Sequence, residues 1–120
     1  MATVSDYAVV SDSTTTLEIG GDVNQTFTFT VPVNVNLGQR AVATWRLGAE
    51  GPPQNLAWNL RINGTEVVGF RHSQDRFAAL QEVFQGSILR VGSNDATVTV
   101  TAGTGRIEIS DIVIHFQVEV

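Results

Sequence analysis

Trp58-Asn-Leu-Arg-Ile-Asn-Gly-Thr-Glu-Val-Val68 is the stretch that decides the fold. Apolar residues alternate with polar ones along it, stop at Asn63-Gly64, and resume on the other side. Alternation with a period of two is typical of a half-buried strand, and Asn-Gly readily occupies the two positive-φ positions of a type I′ turn. The stretch therefore predicts a β-hairpin.

Length and composition predict a single globular domain over residues 1–120. A chain of 120 residues suits one core that buries roughly two thirds of the unfolded surface. Hydrophobic residues make up 42% and charged residues 16%, which lies outside the disordered class, and no apolar run is long enough to span a bilayer. No export signal is visible at the N-terminus, so one was either removed or never present.

The charged residues narrow the range of functions. The formal net charge is −5, and all seven cations are arginines scattered from Arg40 to Arg106. Because phosphate binding needs clustered cations, we expect no nucleic-acid partner. The lack of Lys excludes lysine nucleophiles, Schiff bases and P-loop lysines, and the lack of Cys excludes disulfides, thiolate catalysis and Cys-ligated metals. The compartment stays open, because oxidising compartments permit disulfides without requiring them.

Period-two alternation recurs along most of the chain. In residues 26–35, Phe27, Phe29 and the valines share one face and the threonines the other, while Pro32 indicates an edge or a bend. Gly51-Pro52-Pro53 separates the next two apolar rows, and turn residues separate the others. We therefore predict an all-β fold, an antiparallel β-sandwich of about eight strands with at most one short helix. The apolar rows lie at residues 7–10, 14–19, 26–35, 41–47, 56–62, 88–91, 96–102 and 106–120.

Two segments depart from simple alternation. In residues 75–84, Phe77, Leu80 and Phe84 lie three and four apart, which indicates a helical turn or a brief helix, although Leu80, Val83 and Phe84 would also suit a short turn and a strand. In the last segment, the apolar residues move from odd to even positions at Ser110-Asp111. A β-bulge there keeps both apolar sets on the core face, and Asp111 would accept hydrogen bonds from freed backbone donors.

The densest group of polar residues is Arg71-His72-Ser73-Gln74-Asp75-Arg76, called here the polar connection. Its guanidinium, imidazole, amide and carboxylate groups are those that a sugar or a carboxylate ligand needs. Arg71, His72, Asp75 and Arg76 are therefore candidate ligand-binding residues, although a solvated loop between two apolar stretches has the same composition. Both tryptophans fall on apolar rows and read as core, and Trp45, with small neighbours and Arg46 beside it, is the better candidate stacking partner.

The sequence carries no recognisable catalytic or metal motif. His72 and His115 are the only imidazoles and lack metal-ligand spacing, and there is no Gly-x-Ser-x-Gly elbow. Carboxylates that face each other across a cleft cannot be placed from the sequence, so we expect no enzyme and name no catalytic residue. Calcium is more plausible than zinc, although the same acidic and amide residues are ordinary in turns. Those residues are Asp12, Asp22, Asn94, Asp95 and Asp111.

Three stretches carry a resemblance to a known fold family. They are Leu60-Arg-Ile-Asn-Gly-Thr-Glu-Val67, Ile88-Leu-Arg-Val-Gly-Ser-Asn94 with the strand that follows, and Ile107-Glu-Ile-Ser-Asp-Ile-Val-Ile-His-Phe116. Their order resembles the galactose-binding-domain-like jelly rolls, which include many carbohydrate-binding modules. The resemblance implies a non-catalytic module that recognises a glycan or another small polar ligand through its end loops. It transfers no binding residue, because the matching stretches are scaffold turns and core rows.

Two hypotheses about function follow. The first is lectin-like recognition of a glycan or small polar ligand, without a cofactor unless calcium assists. The second is a structural or assembly subunit of a viral, phage or extracellular particle, because the last strand stays apolar to Val120 and no ligand motif is present. Both are compatible with a homo-oligomer. The location is unknown, and an extracellular or particle-associated one is favoured over the others.

Overall fold

The computed structural model describes residues 2–120, whose seven strands form one continuous antiparallel hydrogen-bonded sheet. The two longest strands, β4 and β7, pair with each other from Val42↔His115 to Ile62↔Ala96 and are the centre of the sheet. No helix in this part of the chain is long and apolar enough to cross a membrane. The elements are β1 Thr3–Ser11, β2 Thr15–Glu18, β3 Asn24–Val31, β4 Ala41–Ile62, β5 Thr65–His72, β6 Arg76–Phe84, a 3₁₀ turn Gly86–Ile88, and β7 Gly92–Glu119.

Both long strands bend near their middle, so that the sheet folds over into a sandwich of two layers. Trp45 from the first layer and Trp58 from the second meet in the interior, with ring centroids 5.9 Å apart in an edge-to-face arrangement. One continuous hydrophobic core fills the space between the layers. The first layer contains β1, β2, β6 and residues 41–50 and 106–119; the second contains β3, β5 and residues 54–62 and 92–104.

The bends depend on residues in the left-handed region of backbone conformation. Gly51 in β4 has φ 100°, and Gly103 and Gly105 in β7 have φ 90° and 96°. A Cβ at Gly103 would overlap the carbonyl oxygen of Asn55 on the neighbouring strand, so only glycine fits there. The sequence predicts separate strands on either side of Gly51-Pro52-Pro53, whereas the structure has one bent strand that serves both layers.

The predicted hairpin between β4 and β5 is confirmed. Asn63 and Gly64 at its tip have φ 51° and 84°, as a type I′ turn requires. β3 ends at Val31, directly before Pro32, where a strand edge or bend is predicted. The jelly-roll sandwich is therefore built from the turns that the sequence indicates.

The predicted bulge in the last strand is also confirmed. Asp111 has φ 53°, and Ile109 and Ile112 on either side of it are both buried. The register with β4 shifts at this point, which returns the apolar residues to the core face. Asp111 accepts a hydrogen bond from the Ser110 hydroxyl at 3.3 Å, rather than from the backbone donors that we expected.

The helix predicted in residues 75–84 is wrong, because this segment is strand β6. It pairs with β4 in unbroken register from Ala41↔Phe84 to Ala49↔Arg76. Residues 88–91, predicted as a strand, form the end of a 3₁₀ turn and the connection to β7. In residues 76–84, pairing with β4 overrides the helical spacing of the apolar residues.

Candidate ligand-binding site

The polar connection crosses from one layer of the sandwich to the other. It leaves β5 at His72, which is opposite Leu56, and enters β6 at Arg76, which is opposite Ala49. Those two partners lie on either side of the bend in β4, so the connection covers one end of the sandwich. The jelly-roll resemblance predicts a binding site in an end loop, and the polar connection is such a loop.

All six residues of the polar connection line one depression of about 490 Å³. His72 is buried, and the other five residues are exposed. Among residues 2–120 the single ion pair joins Arg106 to Glu50, so Arg71 and Arg76 have no carboxylate partner within the described chain. Their guanidinium donors are therefore available to a ligand. The structure thus brings together four of the five candidate ligand-binding residues: Arg71, His72, Asp75 and Arg76.

His72 has a fixed orientation at the floor of this depression. Its Nε2 accepts a hydrogen bond from Nε1–H of Trp58 at 2.8 Å, and its ring plane lies within 5° of that of Trp58 and 11° of that of Phe70. Burial, and secondly the positive charge of Arg76, lower the pKa of His72. A neutral ring that accepts at Nε2 carries its proton on Nδ1, which leaves Nδ1–H as the donor not used by Trp58.

The interpretation of Trp45 as a stacking partner is wrong. Its side chain is 1% exposed and packs edge-to-face against Trp58 and Phe70 in the core. A sugar cannot reach a face of this ring without opening the sandwich. The small alanines beside Trp45 in its row, which suggested accessibility, are themselves buried in the hydrophobic core.

The residues considered for calcium are not gathered at one point. Asn94 is 1% exposed, and its side-chain amide forms hydrogen bonds with Asn63 and with the backbone of Arg90 and Gly92. Asp12 and Asp22 are exposed in separate turns. In the described part of the chain, no three His, Asp or Glu side chains cluster as metal ligands do. Whether calcium assists ligand binding is therefore a question for the binding experiment described below.

An exposed aromatic residue beside the polar connection was missed at the level of sequence. Phe77 follows Arg76 directly and is 70% exposed, whereas Leu80 and Phe84 face the interior to different degrees. The helical interpretation assigns Phe77 to the same apolar face as these two residues. The parity of the positions would have separated them, because Leu80 and Phe84 are even and Phe77 is odd.

Comparison with solved structures shows which known domains have a similar fold. A β-porphyranase of glycoside hydrolase family 86 from the human gut bacterium Bacteroides plebeius superposes with a TM-score of 0.68 and 18% identity, over 96% of this chain and 20% of that chain. Latent PorU from Porphyromonas gingivalis gives a TM-score of 0.71 and 9% identity, over 98% of this chain and 13% of that chain. The chain therefore spans a fifth or less of these larger proteins.

A third neighbour is a similar domain of similar size. It is the CBM36-1 domain of a multidomain xylanase from the hindgut metagenome of Trinervitermes trinervoides, with a TM-score of 0.53 and 15% identity, over 93% of this chain and 96% of that chain. The chain has the jelly-roll fold of carbohydrate-binding modules. At these identities the likeness establishes the fold and assigns no ligand. No family model matches the sequence, and no curated protein matches it.

Proposed function

We propose that this protein is a non-catalytic carbohydrate-binding module that holds a glycan in the depression formed by the polar connection. The observation that carries the proposal is the convergence of Arg71, His72, Asp75 and Arg76 on one depression of about 490 Å³ at the end of the sandwich. The shared fold with the CBM36-1 domain, of which it covers 96%, supports the same function.

The groups in the depression suit sugar hydroxyls. Arg71 and Arg76 provide planar donors that bind two neighbouring oxygens, or a uronate carboxylate, in a bidentate manner. Asp75 provides an acceptor for hydroxyl protons, and His72 provides Nδ1–H from an orientation fixed by Trp58. Because donors and acceptors line the same depression, the site selects a ligand rich in hydroxyl groups over an apolar one.

The same residues favour binding over hydrolysis. Glycoside hydrolysis generally uses two carboxyl groups on opposite sides of the scissile bond. Asp75 is the single carboxylate among the residues that line this depression. A bound glycan would therefore meet an acceptor and several donors, but no acid and base pair.

A glycan array, followed by titration calorimetry in calcium chloride and in EDTA, tests the proposal. We expect an oligosaccharide to bind, and the double variant Arg71→Ala/Arg76→Ala to weaken binding by about tenfold or more through the loss of charged hydrogen bonds. Arg40→Ala, which removes an exposed arginine outside the depression, is the matched control and should bind normally. Failure of every glycan to bind in both buffers would overturn the proposal.

The calcium and oligomer expectations have their own readouts in this experiment. Binding in calcium chloride that is lost in EDTA would identify a calcium-dependent site, whereas equal binding would exclude that requirement. Sedimentation velocity on the same samples reports whether the module is a monomer or a homo-oligomer.

A further inference from the structure

A depression on the outer face of the first layer is built around Phe77. Phe77 in β6 is paired with Gly48 in β4, and its ring lies over that glycine. A Cβ at Gly48 would fall 2.6 Å from the ring atom Cε1, so the ring occupies the space that a side chain would fill. Phe77 is nevertheless 70% exposed, which leaves most of an aromatic surface facing the solvent.

Polar side chains surround this ring because of the register of three neighbouring strands. One cross-strand row runs Phe77, Gly48, Glu108, and the adjacent outward row runs Ala79, Arg46, Ser110. Gly48 and Ala79 have little or no side chain, so the sheet surface is low between the larger residues. The resulting depression has a volume of about 440 Å³ and is also lined by Thr14.

The dimensions of the depression suit one sugar ring. Phe77 and Glu108 lie on strands separated by β4, which places their backbones roughly 10 Å apart at the usual strand spacing. An aromatic ring favours the apolar C–H face of a pyranose, and carboxylate, guanidinium and hydroxyl groups favour its edge. Phe77 offers the aromatic ring, and Glu108, Arg46 and Ser110 offer the carboxylate, guanidinium and hydroxyl groups.

We infer that the Phe77 depression is a second carbohydrate subsite, in which a pyranose ring of an oligosaccharide stacks on Phe77 and its hydroxyls bind Glu108, Arg46 and Ser110. The inference rests on the proposed function for its ligand class. It uses different residues and a different face of the sandwich from the polar connection. An aromatic side chain that covers a glycine also stabilises a sheet, so the test must separate binding from stability.

Three variants at the Phe77 depression make this separation. Phe77→Leu keeps an apolar cover over Gly48 but removes the aromatic face, whereas Phe77→Trp enlarges that face. Gly48→Ala displaces the ring without removing it, because the new Cβ would occupy the position of the ring edge. Tyr7→Ala is the matched control, since Tyr7 is another aromatic residue of the first layer and is 63% exposed.

The binding measurement is titration calorimetry of folded wild-type and variant protein with xylohexaose, cellohexaose and neoagarooctaose, with thermal unfolding of each sample. We expect Phe77→Leu and Gly48→Ala to weaken binding by about tenfold, as the loss of one stacking contact implies, with Phe77→Trp at least as tight as wild type and Tyr7→Ala unchanged. Amide chemical shifts of residues 46–48 and 77–79 should move on titration in wild type.

The outcomes distinguish the two sites. Unchanged binding in Phe77→Leu and Gly48→Ala, together with weakened binding in Arg71→Ala/Arg76→Ala, overturns the second subsite and leaves the polar connection as the site. Weakened binding in Phe77→Leu and Gly48→Ala, together with unchanged binding in Arg71→Ala/Arg76→Ala, supports the Phe77 subsite and excludes the polar connection as a binding site. If Phe77→Leu and Gly48→Ala change only the melting temperature, Phe77 covers Gly48 for stability and the inference is wrong. If none of the three oligosaccharides binds, the inference is also wrong.

Discussion

Asn63 at the tip of the β4–β5 hairpin donates a hydrogen bond from Nδ2 to Oδ1 of Asn94, at 2.9 Å. The same Nδ2 donates to the carbonyl of Ile88 at 3.0 Å, and Asn63 Oδ1 accepts from the backbone N–H of Asp95 at 3.0 Å. The hairpin is therefore joined through side-chain amides to the start of β7 and to the 3₁₀ turn that precedes it. Two of the stretches that resemble jelly-roll modules are in direct contact through this pair.

Asn94→Ala should lower the free energy of unfolding by about 3 kcal/mol, because it leaves several backbone groups without partners. Asn94 is 1% exposed, its Nδ2 donates to the carbonyls of Arg90 and Gly92, and its Oδ1 accepts from the N–H of Arg90. Urea unfolding measures the change. Asn24→Ala removes an exposed amide at the start of β3 and should cost less than about 0.5 kcal/mol. Equal losses in the two variants would contradict the structural role of Asn94.

The local parts of the fold are predictable from the sequence, because turn chemistry and strand parity act over a few residues. Asn63-Gly64 specifies its own backbone conformation, and the change from odd to even apolar positions around Asp111 requires a bulge. The bend in β4 could not be predicted from the sequence, since it depends on contact between residues about fifty positions apart in the chain, such as Gly103 and Asn55. No local pattern reports that contact.

The site was predictable in part for the same reason. The polar connection is contiguous, so its residues meet wherever the loop lies, and the structure adds that they line one depression. The prediction of Trp45 as a stacking partner is wrong because this side chain is enclosed between the two layers, and the sequence does not show how the layers pack. The exposure of Phe77 was not predicted, because the spacing of the apolar residues suggested a helix. Pairing of this segment with β4 makes it a strand instead.

Trp58→Phe should destabilise the protein more than Trp45→Phe, although both side chains are 1% exposed. Trp58→Phe leaves Nε2 of His72 without its donor, whereas Nε1 of Trp45 has no hydrogen-bond partner among the described residues. The expected difference is about 2 kcal/mol, the cost of leaving one buried polar atom unpaired. Urea unfolding of both variants measures it. A larger loss in Trp45→Phe would show that ring volume, and not the hydrogen bond, dominates.

Acidification should weaken the fold through His72. Burial, followed by the charge of Arg76, lowers the pKa of His72, so the unfolded chain binds this proton more readily than the folded one. The stabilisation is complete above the unfolded value of about 6.5 and is lost as pH falls through the lower folded value. His72→Phe should therefore flatten the dependence of melting temperature on pH between about 7.5 and 5.

The matched control for this titration is His115, which is exposed and shares a hydrogen bond with the Thr44 hydroxyl at 3.1 Å. A change of slope that occurs in His72→Phe and not in His115→Gln assigns the effect to His72. His72→Phe should also be less stable than wild type at pH 7.5, because Nε1–H of Trp58 loses its acceptor. An unchanged slope in His72→Phe would place the titrating group elsewhere.

Glu108→Gln should stabilise the protein at neutral pH and lose this advantage on acidification. A hydrogen bond with Glu50 and repulsion between the two carboxylates raise the pKa of Glu108, and burial adds to the shift against the opposing charge of Arg106. A raised carboxyl pKa means that the folded chain holds this proton to higher pH than the unfolded chain. The associated stability is therefore present at low pH and is lost as pH rises through the folded value.

Gln at this position imitates the protonated acid, since its amide donates to Glu50 at every pH. Melting temperatures from about pH 4 to 8 at low salt should show a gain over wild type that grows with pH. A trend that occurs in Glu108→Gln and not in Glu82→Gln, a change at an exposed position of β6, assigns the effect to Glu108. Arg106 pairs with Glu50 at 3.1 Å and is also the positive charge that acts on Glu108. A melting temperature below that of wild type in Glu108→Gln at pH 7 would mean that Arg106 attracts the ionised Glu108 more strongly than Glu50 repels it.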